Sequence, residues 1–308
     1  MNLSKVTSQI AIGIMAFGAV SVSAASLRIN GSTTVNPVAA EAAEILRAEK
    51  KADITVDTQG GSSGGIAGVG DSSIDIGMSS KPIAQDDRAK YPKVNFVETK
   101  IGHDAVAMVV SADVYNGGVH FLTKSQIKDI YEGRITNWKQ VGGRNERIVF
   151  LNKEPGRGTW EVFAKYLYGD PKTAPEVNHP EVGGNEETRS KVISTRGSMS
   201  QLSSAWAENN PKIKALGLKL DSGQVVTPTA ANIANGSYPM SRPLFFITNG
   251  SPTGEARNFI DFVLTPRGQE LVKKHGYLRL SDLSRPAKEA AQPIAKPAAK
   301  VVPRKTGR

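Results

Sequence analysis

The chain has 308 residues, 39% hydrophobic and 22% charged, with 30 Gly, 17 Pro and a net charge of +10. That length allows two globular lobes, each burying its own core, and the composition is that of an α/β protein rich in tight turns rather than of a disordered chain or a small stapled scaffold. The complete lack of cysteine excludes disulfides, thiolate metal sites, a nucleophilic thiol and a lipid-modified N-terminal cysteine.

The charge is unevenly placed. Between Arg285 and Arg308 seven Lys and Arg stand against one Glu, so most of the excess lies in a Pro/Ala/Lys segment and not on a folded face. That distribution argues against a nucleic-acid partner. From Pro286 onward almost no large apolar side chain is present, and residues 286–308 are expected to form a disordered basic tail. At the other end, Lys5, the apolar stretch Ile10 to Val22 and the small residues Ser23-Ala24-Ala25 follow the order of a secretory signal peptide. Its apolar stretch of about 13 residues is shorter than the ~20 that a spanning helix requires. Residues 1–25 are therefore expected to direct export, leaving a soluble periplasmic protein.

In chain order, Leu27 to Asn30 reads as a strand, Gly31-Ser32-Thr33-Thr34 as a polar turn, and the following residues as a helix with Val38, Ala42, Ile45 and Leu46 on one face. The unit recurs with a strand at Ile54 to Val56, a turn at Gly60 to Gly65 and a helix from Ile66. Ile74 to Met78 is a third strand, ending in Ser79-Ser80-Lys81-Pro82. Ala105 to Val110 is continuously apolar, as in a strand buried on both faces. Leu122 to Tyr131 contains a short helix with Ser125 placed to cap it. Ile148 to Leu151 is a strand, followed by Lys153 to Thr159 and a helix carrying Trp160, Phe163 and Leu167. Asp170 to Arg189 reads as a polar surface excursion, and Met199 to Glu208 as a helix. The stretches Ala215 to Leu220 and Ala231 to Gly236 follow. Leu244 to Thr248 is predicted as a strand, and Ala256 to Leu264 and Gly268 to His275 as two final helices. Strands alternating with helices predict mostly parallel sheets, whose ligands sit at the carboxyl ends of the strands.

Three polar turns fall at such ends: Ser32 to Thr34, Ser62 to Gly65 and Gly156 to Thr159. A dehydrated oxyanion needs several short hydrogen bonds from donors already in place. Helix N-termini supply free N–H groups and a positive dipole end, while Ser and Thr hydroxyls add donors without charge. A phosphate loop is not present, because Gly64, Gly65, Gly68 and Gly70 lack the Lys-Ser/Thr ending. Gly197-Ser198-Met199-Ser200-Gln201 lacks the second glycine of a nucleophile elbow. His103, His120, His179 and His275 lack metal-pair spacing, and the pairs Asp86-Asp87 and Glu186-Glu187 are expected in solvated loops. Neither an enzyme nor a cofactor is expected.

Five ordered motifs resemble the phosphate-binding subunit of bacterial phosphate ABC importers. They are Asn30 to Val35, Gly61 to Gly65, Asp75 to Ser80, Ile127 to Tyr131 with Asn137-Trp138, and Gly236 to Pro243. The resemblance runs from about residue 27 to 283. It implies an α/β, two-lobed periplasmic binding protein fold (type II), each lobe a mostly parallel sheet flanked by helices, joined by hinge strands and closing on the anion. Lobe I would comprise 26–108 plus 236–285, and lobe II 109–235. The resemblance also implies anion-binding roles for Ser32, Thr33, Thr34, Ser62, Ser63, Gly64, Ser80, Gly158 and Thr159, and a structural role for Asp75. The implied protein is a monomer that delivers inorganic phosphate to an inner-membrane ABC permease.

Three departures bear on that expectation. Ser80 stands where some members carry a carboxylate that accepts the proton of phosphate and repels sulfate. The family's Arg-x-x-Gly-Ser-Gly-Thr becomes Lys153-Glu154-Pro155-Gly156-Arg157-Gly158-Thr159, which offers Arg157 as a guanidinium that clasps two oxygens, or as one that faces solvent. Asn209-Asn210-Pro211-Lys212 replaces a Gly-x-Ile-Gly-Tyr strand. Sulfate, molybdate or tungstate therefore remain alternative ligands, and reuse of the fold as an envelope sensor or adhesion protein is the alternative of a different class.

Overall fold

The computed structural model describes residues 26–50 and 52–284. The expected signal segment and basic tail lie outside these residues. The first lobe opens with β1 (Leu27–Gly31), α1 (Asn36–Lys50), β2 (Ile54–Asp57), α2 (Gly61–Gly70), β3 (Ile76–Ser79) and α3 (Gln85–Lys90). The long strand β4 (Phe96–Ser111) then crosses into the second lobe. That lobe begins with α4 (Ala112–Asn116), β5 (Phe121–Thr123), α5 (Lys124–Tyr131), β6 (Val149–Lys153) and α6 (Gly158–Tyr168). It continues through β7 (Glu181–Val182), α7 (Asn185–Ser194), β8 (Ser198–Ser203), α8 (Ser204–Ala207) and β9 (Ile213–Ala215), and ends with β10 (Gly217–Lys219), β11 (Val225–Val226) and α9 (Ala230–Ala234). Strand β12 (Ser241–Asn249) returns to the first lobe, which α10 (Gly254–Leu264) and α11 (Pro266–Lys274) complete.

The strand order is β2-β1-β3-β12-β4-β8-β6-β7, with β9 also on β4 and a separate trio β11-β10-β5. Runs β2-β1-β3 and β8-β6-β7 are parallel, whereas β12 and β4 pair antiparallel with their neighbours. Residues Phe96 to Ala105 of β4 pair with β12, and Val106 to Val110 with β8. One strand thus joins the two lobes' parts of the large sheet, and its Ala105 to Val110 segment is buried throughout. Val106 and Met108 face a core with Phe150, Phe163 and Met199, while Ala107 and Val109 face one with Leu151, Val192 and Leu202, the period of two that a pleated strand imposes. The first lobe's core gathers Ile29, Val38, Leu46, Ile76, Phe246, Phe259 and Val272. Tyr238 and Met240 pack in the second lobe's core, although a boundary at residue 236 assigned them to the first. Met240 accepts from Val106 N across the paired crossing.

Several local expectations are corrected. Met199 to Leu202 lies in strand β8, not in a helix. Its polar residues find partners outside the segment: Ser198 Oγ donates to Val192 O, Ser200 Oγ to Leu151 O, and Gln201 Nε2 to Asn152 Oδ1. A fully buried strand between two others is stabilised by those bonds despite weak local propensity. Helix α5 is capped by Thr123, two residues earlier than Ser125, with Gln126 closing a capping box. Asp86 and Asp87 lie in the first turn of α3, not in a loop, where negative charge suits the helix dipole. The excursion Asp170 to Arg189 is not confined to the surface, because Asn185 and Thr188 are completely buried.

Candidate functional site

The carboxyl ends of β1 and β3 and the N-terminus of α2 meet the β6–α6 turn and the start of α7 across the space between the lobes. At the end of β1, Gly31 has φ 137°, and a Cβ there would stand 2.3 Å from Met78 O. Only glycine allows this contact with β3. Beyond it, Ser32 N donates to Met78 O, while Val35 N and Asn36 N donate to Ser32 O, turning the chain into α1 with Thr33 and Thr34 at its entrance. From the facing wall Gly158 approaches so closely that a Cβ would lie 2.6 Å from Ser80 Oγ and 2.7 Å from Ser62 Oγ. Helix α6 starts at that glycine, so its first-turn amides have no acceptor within the helix.

A cavity of ≈ 10 Å³, room for about one water, is enclosed by Ser32, Thr33, Thr34, Gly61, Ser62, Ser80, Lys153, Arg157, Gly158 and Thr159. Eight of the ten predicted site residues are in that lining. Ser63 and Gly64 are not. Ser63 N donates across the cleft to Gly156 O (3.1 Å) and Gly64 N to Gly60 O (3.0 Å), so both amides are already used within the protein. A larger cavity, ≈ 560 Å³, lies at the amino ends of β1 and β3. Asp75 and Glu255 line it, a lining that disfavours anions. Asp75 itself pairs with Arg28.

The largest omission from the sequence-based set is Arg242. Its side chain is 1% exposed, sits at the start of β12, and is held by Asp104 of β4, whose Oδ2 accepts from Nη2 (2.7 Å) and Nε (3.1 Å). The other Asp104 oxygen accepts from Ser203 and Ser204. From this anchor Arg242 Nη1 donates to Ser80 Oγ (3.2 Å) and Thr159 Oγ1 (3.0 Å), and Nη2 to Thr34 Oγ1 (3.1 Å). One guanidinium thus joins hydroxyls of both lobes. Asn185 Nδ2 also donates to Thr34 Oγ1 (2.9 Å), and Asn185 N to Thr33 Oγ1 (3.3 Å).

These bonds fix the chemistry of the hydroxyls. A hydroxyl has one proton to give and two lone pairs to fill. At Thr34 both lone pairs are taken, by Arg242 and Asn185, so the group can only donate. Ser62 Oγ accepts from Ser80 N (3.1 Å) and lies 3.4 Å from Ser80 Oγ. The array is therefore biased toward donation before any ligand arrives, the preorganisation that anion capture needs.

Two further cations border the array. Lys153, at the end of β6, is 1% exposed and donates to Gly183 O (2.9 Å) and Asn185 Oδ1 (3.3 Å). Burial first, and then the charges of Arg157 and Arg242, hold its amine well below the usual lysine range. An approaching anion opposes both effects and favours the protonated form. Arg157 lies in the wall, but its Nε and Nη2 donate to Glu154 Oε2 (3.0 and 2.7 Å). It is neither the free clasp nor the solvent-facing side chain considered from sequence.

Arg242 lies in one of the resembling motifs, and its isolation between Ser241 and Pro243 at a strand start was its only local signal. Asn185 and Asp104 had none, because each acts across more than 130 residues of chain.

Two α/β lobes on shared crossing strands, with a donor-lined cleft between them, define a two-lobed solute-binding protein. A family model described as a PBP superfamily domain matches residues 18–267, and the chain belongs to that family. It is 30% identical over 259 residues to the phosphate-binding protein PstS of Borreliella burgdorferi, covering 81% of this chain and 88% of that one. With PstS of Bacillus subtilis it shares 28% identity over 261 residues, 84% of this chain and 82% of the relative. A phosphate ABC transporter substrate-binding protein from Clostridium perfringens, solved with bound phosphate, superposes with a TM-score of 0.72 at 29% identity, covering 83% of this chain and 99% of the other.

Proposed function

We propose that this protein captures inorganic phosphate between its lobes in the periplasm and delivers it, as a monomer without bond chemistry, to an inner-membrane ABC permease. The observation that carries the proposal is the single buried guanidinium of Arg242 holding Thr34, Ser80 and Thr159 of both lobes as a common donor array. The ligand set consists of Ser32, Thr33, Thr34, Ser62, Ser80, Gly158 and Thr159, supported by Arg242, Asn185 and Lys153, with Arg157 at the rim. The names of the relatives agree with phosphate as the ligand and with transport as the role.

A second reading, another tetrahedral oxyanion, is favoured by one specific observation. The nearest buried carboxylate, Asp104, has both oxygens engaged by Arg242, Ser203 and Ser204, so it offers no free oxygen to accept from a ligand P–OH. Isothermal titration of the mature protein with phosphate, sulfate, molybdate and tungstate distinguishes the two. Tightest binding is expected for phosphate. Heat with sulfate or molybdate and none with phosphate would overturn the proposal.

A further inference from the structure

Beside the donor array lies a charged cluster that does not touch the cavity. Lys81 directly follows Ser80 on the first lobe, and Glu161 lies two residues after Thr159, in the first turn of α6 on the second. Lys81 Nζ meets Glu161 Oε1 at 2.5 Å and Asp87 Oδ2 at 3.6 Å. The lysine side chain is 6% exposed, while Glu161 and Asp87 retain 24% and 29%. Asp87 belongs to α3 on the lysine's own lobe, and its Oδ2 is buried without a hydrogen-bond partner. Lys81 thus stands between two carboxylates, one in hydrogen-bond contact across the cleft and one left waiting on its own side.

We propose that Lys81 and Glu161 form a latch that sets how long the lobes stay closed, with Asp87 as the partner that Lys81 takes when they part. Closing brings Ser80 and Thr159 to the same guanidinium, and the neighbouring residues Lys81 and Glu161 are carried together by the same movement. The ion pair is then withdrawn from water, where it is stronger than an exposed pair. Opening separates Glu161 from Lys81, and a small shift delivers the amine to Asp87, so the lysine is never left buried and unpaired. The nearby pair Lys172–Asp86 also joins the lobes, but its side chains are 68% and 67% exposed, so it contributes little to closure. Since neither Lys81 nor Glu161 lines the cavity, the latch acts on residence time and not on the choice of anion.

The proposal rests on capture of phosphate between closing lobes, and two measurements separate its failure from the failure of that reading. In stopped-flow experiments with inorganic phosphate, Glu161→Gln is expected to speed dissociation roughly tenfold and leave association nearly unchanged. The phosphate-to-sulfate affinity ratio stays as in the parent, and Lys172→Ala changes dissociation by about twofold or less. Spin labels at exposed positions on the two lobes, through Glu44→Cys and Lys165→Cys in this cysteine-free chain, report the interlobe distance without any ligand. There Glu161→Gln and Lys81→Met each shift the distribution toward longer distances, and the double variant shifts it no further than Lys81→Met alone. Unchanged distances in both variants overturn the latch whether or not phosphate binds. Longer distances in the two variants, when the parent binds no phosphate, support the latch and refute the choice of ligand. If dissociation is unchanged while Glu161→Gln remains folded by circular dichroism, the latch is likewise overturned.

Discussion

The two walls of the cleft are built by different means. The first lobe presents Ser32 to Thr34, Ser62 and Ser80 from turns that close on themselves through local backbone bonds, such as Ser32 O with Val35 N and Asn36 N. On the second lobe and the crossing strands, the Gly158-Thr159 turn is backed by isolated side chains, Lys153, Asn185 and Arg242, each fixed by partners far away in the chain. The first wall supplies most of the hydroxyls, and the side chains behind the second decide what those hydroxyls can do. By filling the lone pairs of Thr34, Asn185 and Arg242 turn an ambivalent group into a donor. A Ser/Thr-rich turn is common in proteins, and here it becomes specific for anions only through the charges and amides placed behind it.

That division predicts a graded series of substitutions. The largest effect belongs to Arg242→Met, which removes the donor shared by three hydroxyls and leaves Asp104 buried without its counter-charge. Phosphate affinity is expected to fall roughly 100-fold or more, and chemical denaturation to register a loss of ~3–5 kcal/mol. Adding Asp104→Asn should restore part of the stability but none of the affinity. If the double variant binds as the parent does, the guanidinium is structural only, and the contrast between the walls collapses.

A smaller effect is expected from Asn185→Leu. It frees one lone pair of Thr34 and removes an acceptor from Lys153, and titration should show a loss of about tenfold in affinity. An unchanged affinity would mean that hydroxyl orientation is set by the first wall alone. The smallest belongs to Arg157→Ala, whose guanidinium is already paired with Glu154. About threefold is expected at low salt, shrinking as salt is added. Abolished binding would instead show that Arg157 leaves Glu154 to clasp the anion, and would move a charge from the rim of the second wall to its centre.

The legibility of the site follows the same line. Ser32, Thr33, Thr34, Ser62, Gly158 and Thr159, which line the cavity, were conspicuous because strand, glycine-containing turn and helix start occupy adjacent residues and local sterics dictate the order, whereas Ser80 was pointed to by the family resemblance alone. Ser63 and Gly64 have the same local appearance but lie outside the cavity lining, Ser63 N being taken across the lobes by Gly156 O and Gly64 N locally by Gly60 O at the start of its own helix. The strand Ser198 to Ser203 was misread for a related reason. Its serines and glutamine suggest a capped helix, but bonds to β6 and to the end of α7 hold it extended inside the sheet.

The amino-acid sequence by itself determined the alternation of strands and helices, the buried character of the strand that joins the lobes, and the hydroxyl-rich turns, because each depends on periodicity or on residues next to one another. Only the tertiary structure decided which of those turns face a common cavity, that Arg242, Asp104 and Asn185 stand behind their hydroxyls, and that Lys81 meets Glu161 beside them. These residues work through partners 80 or more positions away. A charged side chain carries no local sign that folding will remove it from water and commit it to one specific partner.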